Sequence, residues 1–122
     1  MTIIDTIVKI LVGLIACIHL YIMWFEMFAW TSRGRRVFKD FPAELFPKTT
    51  KLAANLGLYN GFLASGLIWT FFITTQPWQH NVMLFFLSFI AIAGIYGALT
   101  AQRKIFFVQA LPALITIILI LL

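Results

Sequence analysis

His19 and Glu26 are the residues of this chain best equipped for chemistry, because both lie inside a run of apolar residues near its start. An ionisable group at the centre of a bilayer costs about 2.5–3.5 kcal/mol, so such residues usually face a bundle interior or a wet cavity and mark where function resides. His19, Met23 and Glu26 are spaced i, i+4, i+7 and share one face of a helix. Seven residues of helix still separate His19 from Glu26 by about 10 Å, beyond hydrogen-bonding reach. The two are expected to line a common chamber rather than to form a dyad. General acid/base work needs groups whose proton affinity lies near the operating pH, and a histidine starts in that range.

The elements that must hold these groups follow from composition. Of 122 residues, 62% are hydrophobic and only 11% charged, which places the chain among membrane proteins rather than soluble domains. About 20 apolar residues make one spanning helix, so there is room for four spans in a single integral membrane domain, 1–122. They are expected at 7–29, 53–74, 82–101 and 105–122. The fold class is all-α, a four-transmembrane-helix bundle. The start, Met1 to Asp5, lacks the basic n-region of a signal peptide, so the first segment is expected to remain as a helix. The single cysteine, Cys17, is read as a small packing residue.

Arg33, Arg35, Arg36, Lys39, Lys48, Lys51, Arg103 and Lys104 fall in the first and third connections, leaving Lys9 alone on the other side. By the positive-inside rule, loops 31–51 and 102–104 are cytoplasmic and both termini are extracytoplasmic. The net charge of +5 therefore points to anionic lipid headgroups, above all at the 31–51 loop, and not to nucleic acid. That loop interleaves Val37, Phe38, Phe41, Leu45 and Phe46 with its charges, and Pro42 is placed to open a short helix. It either lies in the membrane interface or is a solvated loop.

Ala53, Gly57, Gly61 and Ser65 recur every four residues, and Ala93, Gly97 and Ala101 repeat the device beside Gly94 and Ala98. Small faces let helices approach closely in lipid. Packing within the chain is favoured over a homodimer interface, which remains the second use of such a face.

Counting 1.5 Å per residue from Trp30, Lys51, Gln102 and Ile105 puts Glu26 about 6 Å deep, His19 about 16 Å, Asn55 about 6 Å, Tyr59 about 12 Å, Asn60 about 13 Å, Tyr96 about 9 Å and Gln109 about 6 Å. All four helices thus bring polar groups to the inner half. His19 and Glu26 are the catalytic candidates. Tyr21, Met23, Asn55, Tyr59, Asn60, Tyr96 and Gln109 are the ligand-binding ones. For either asparagine a hydrogen bond to a neighbouring helix is the commoner role.

The run from His19 to Trp30, the run Ala53-Ala54-Asn55-Leu56-Gly57-Leu58-Tyr59-Asn60-Gly61, and Gly94-Ile95-Tyr96-Gly97 before a basic turn together resemble the small bacterial membrane proteins grouped as domain of unknown function 1304. The resemblance implies a four-helix membrane protein of a bacterial plasma membrane and brings no reaction with it. From the residues themselves, the first expectation is a pocket that binds, or isomerises by acid/base chemistry, a lipid or isoprenoid-type apolar molecule. The sequence holds no metal-ligand spacing, nucleotide loop or nucleophile motif, so no cofactor is expected. The alternatives are a small proton-coupled exporter, against which the charge asymmetry argues, and a non-catalytic subunit of a membrane complex.

Overall fold

The computed structural model describes residues 2–122, and their regular structure is helical throughout. Helix α1 is Ile3–Phe28, α2 is Arg33–Val37, and a 3₁₀ turn covers Ala43–Leu45. Helix α3 is Thr50–Thr70, α4 is Trp78–Thr100, and a π-helical turn, Phe106–Ala110, leads into α5, Leu111–Leu121. Two of these, α1 and α4, are long and apolar enough to cross a membrane. Helix α3 carries Lys51, Asn55 and Asn60 along its length, and the apolar stretch Phe106–Leu121 is shorter.

The helix limits differ from the expected ones where side chains replace backbone partners. Helix α3 stops at Thr70, short of 74, because its final carbonyls find other donors: the Gln79 amide donates to the Thr70 carbonyl at 2.9 Å. The Thr70 hydroxyl donates to the Leu67 carbonyl at 2.6 Å. Backbone bonds from Phe71 to Ile68 and from Phe72 to Trp69 tighten the last turn, the usual way in which orphan carbonyls are met. Helix α4 begins at Trp78, immediately after Pro77, so 78–81 are helical rather than loop. A proline's fixed φ suits the start of a helix.

At the other end, Thr2 and Asp5 form a reciprocal cap on α1. The Thr2 backbone N–H donates to Asp5 Oδ2 at 3.2 Å, and the Asp5 N–H donates to Thr2 Oγ1 at 3.1 Å. This satisfies donors that the first helical turn leaves open.

The chain divides into two compact units. One comprises Met1–Ala16 with Ser65–Leu122. Val8, Val12, Leu67, Met83, Leu87 and Ile90 are among its buried side chains, together with the polar Thr70, Gln79 and Thr116. Within it Gly94 lets α4 meet the π turn at backbone distance, since a Cβ there would lie 2.5 Å from the Ala110 nitrogen and 2.9 Å from its Cα. Pro112 accounts for the π turn: it has no N–H to offer the carbonyl four residues back and its ring crowds that carbonyl, so the preceding turn widens. The other unit is Cys17–Ala64 and holds the first candidate residues.

Candidate functional site

The connection between α1 and α3 folds around Trp30. Its indole N–H donates to Thr49 Oγ1 at 2.9 Å, and that hydroxyl donates to the Leu45 carbonyl at 2.8 Å. The ring packs against Phe38, Phe41 and Phe46 with centroids 5.7, 6.0 and 5.0 Å away. Gly34 lies beneath it, where a Cβ would come within 2.7 Å of the indole. The aromatic residues of this loop turn onto one another and Phe46 is buried, while a short helix carries Arg33, Arg35 and Arg36 and a 3₁₀ turn opened by Pro42 carries Glu44.

This connection brings the C-terminal end of α1 back against the beginning of α3, and the small residues of α3 set the separation. A Cβ on Gly57 would lie 2.7 Å from Met27 Cγ and 3.0 Å from both Glu26 Cβ and the Met23 carbonyl. One on Gly61 would lie 2.6 Å from Met23 Sδ. The small face of α3 is therefore used inside the chain, against the α1 face that bears Met23 and Glu26. Close approach of this kind is what small residues make available.

At that contact Asn60 Nδ2 donates to Glu26 Oε1 at 2.8 Å. Its second hydrogen goes to the Leu56 carbonyl at 3.1 Å, which fixes the amide's orientation. Glu26 is 7% exposed and His19 is fully buried. A carboxyl held by an oriented amide can take up or release a proton without losing its position, because its bonded oxygen needs only to accept.

The other candidates are arranged differently. Tyr21 is exposed and packs edge-on to Phe25, centroids 5.4 Å apart. Asn55 is exposed, and Tyr59 is 60% exposed. Tyr96 and Gln109 belong to the other compact unit, Tyr96 being 68% exposed and Gln109 half-buried in the π turn. Sequence reasoning missed Gln79, which is buried and tied to Gln76 and Thr70. The signal for it was Pro77, which moves the helix start ahead of Gln79. Among the described residues no group of three or more His, Cys, Asp or Glu gathers to hold a metal ion.

Taken together these observations define an all-helical protein with two helices fit to cross a membrane and a part-buried carboxyl–amide hydrogen bond between α1 and α3. The model of the family described as "Protein of unknown function (DUF1304)" matches residues 13–121, and the chain belongs to that family. It is similar to the uncharacterized protein YpaA of Lactococcus lactis subsp. lactis (strain IL1403), 34% identical over 116 residues that cover 93% of this chain and 96% of the relative. No solved structure matches it.

Proposed function

We propose that the chain is a four-span protein of a bacterial plasma membrane and that Glu26, Asn60 and His19 form a polar site in its inner half. There it binds, or converts by acid/base chemistry, an apolar molecule of lipid or isoprenoid type. The observation that carries this reading is that ionisable groups are buried while large apolar side chains stand exposed. Glu26 and His19 are buried in α1, whereas Leu14 and Phe28 of that helix and Phe85, Phe89 and Ile92 of α4 are exposed. In water such exposure would be costly; in lipid it costs nothing, and polar groups turn inward.

The proposed orientation puts loops 31–51 and 102–104 in the cytoplasm and both ends of the sequence outside. A reporter fused after Leu122 should be active only when it is a type that works outside the membrane. Cytoplasmic activity, or both orientations in equal amounts, would overturn the orientation.

The site itself is tested by what the purified protein carries. Solvent extraction and mass spectrometry of wild type should yield an apolar species that Glu26→Ala loses and that Ile92→Ala, altered on an exposed position, retains. Identical extracts from all three would contradict a ligand site at Glu26.

A further inference from the structure

The basic residues that follow α1 divide by use. Arg35 is built into the fold: its Nε donates to the Thr31 carbonyl at 2.7 Å, its Nη1 to the Ala43 carbonyl at 3.0 Å, and its guanidinium lies 4.9 Å from the Phe46 ring centre. Arg33 and Arg36 are exposed, and with Ser32 and Trp24 they line a pocket of about 260 Å³. We propose that this pocket holds the phosphate group of an anionic phospholipid.

Two guanidinium forks match the oxygens of a phosphate and can each bond it twice, which an ammonium cannot do. Ser32 adds a hydroxyl whose present bond, to the Ala29 carbonyl, is a long 3.3 Å. The fourth wall argues for a lipid over a soluble phosphate. Trp24 stands three residues from Tyr21 and four from Phe28, so the three form one stripe along α1. All three are exposed, Phe28 to 74%. A molecule with its phosphate between the arginines would lay its acyl chain on that stripe, with the indole at the level where Trp sits in membrane interfaces.

The inference rests on the proposal that α1 spans the membrane with this end at the cytoplasmic face, and it adds a second site apart from Glu26. Its test is binding of phosphatidylglycerol to the full-length protein in neutral detergent, followed by native mass spectrometry. Wild type is expected to retain phosphatidylglycerol and not diacylglycerol, which lacks the phosphate. Arg33→Gln/Arg36→Gln should weaken retention at least about tenfold, and Arg33→Lys/Arg36→Lys should fall between, because it keeps the charge and loses the forks. Lys48→Gln/Lys51→Gln removes the same charge from the end of the connection and the first turn of α3 and should leave binding unchanged. Glu26→Gln should also leave it unchanged, so failure here and failure of the Glu26 site are separately visible. Thermal melting of each variant checks that it is folded. Equal loss in the lysine pair would reduce the effect to general attraction, and displacement of the lipid by inorganic phosphate at comparable concentration would assign the pocket to a soluble ligand. Either result would overturn the proposal.

Discussion

Gly94→Ala is expected to be among the most destabilising single-methyl changes in this chain, costing about 1–3 kcal/mol as an overpacked contact. The added Cβ would meet the backbone nitrogen and Cα of Ala110, and backbone cannot rotate aside as a side chain can. Removing the neighbour's own methyl with Ala110→Gly should therefore fail to rescue the variant. Gly13 provides the opposite case in α1. The nearest atom to a Cβ there is Phe71 Cζ at 3.8 Å, an ordinary contact, and Gly13→Ala should stabilise by about 0.5–1 kcal/mol through the lower chain entropy of alanine. Melting temperatures of the two variants in one detergent should move in opposite directions. A neutral Gly94→Ala would contradict the close approach of α4 to the π turn.

The second large effect concerns Asn60. Asn60→Leu removes the donor from Glu26 Oε1 and leaves a buried carboxyl oxygen without it, which should cost about 1–2 kcal/mol. Glu26→Gln should cost much less, because the glutamine carbonyl accepts the same hydrogen from Asn60 at nearly the same place. In the Asn60→Leu background, Glu26→Leu should recover part of the loss, since replacing both partners of a buried polar pair by apolar groups is close to neutral. Simple additivity of the two leucine substitutions would show that the 2.8 Å contact carries no coupling.

Much of this was legible in the sequence for one reason. A carboxyl and an imidazole in an apolar run are expected to turn inward, and the structure buries both Glu26 and His19. The partner of Glu26 is not legible in this way. Counting depth from Trp30 and Lys51 put Asn55 level with Glu26 and Asn60 more than a turn further in, yet the structure pairs Glu26 with Asn60. Counting from the helix ends themselves, Phe28 and Thr50, widens that mismatch, so depth alone does not select the partner. Helix rotation matters as much as depth: the faces that meet are set by Gly57 and Gly61 against Met23 and Met27, and Asn60 is on the side that follows. The small-residue spacing gave the existence of a close helix contact but not its partner. Tyr59 and Tyr96 show the other limit, since a tyrosine in an apolar helix is as compatible with an outward face as with a site, and both are exposed.

The central claim is that Glu26 and His19 handle protons at a site that acts on or binds an apolar molecule, and it is tested most directly by Glu26→Gln and His19→Gln. Each substitution keeps polarity and approximate size, so both variants should melt within a few degrees of wild type in detergent. In cells lacking the gene for this chain, each should nevertheless fail to restore the wild-type lipid profile or growth phenotype that the intact protein restores. Stable variants that restore it fully would contradict proton handling at these residues and leave their role as one of helix packing.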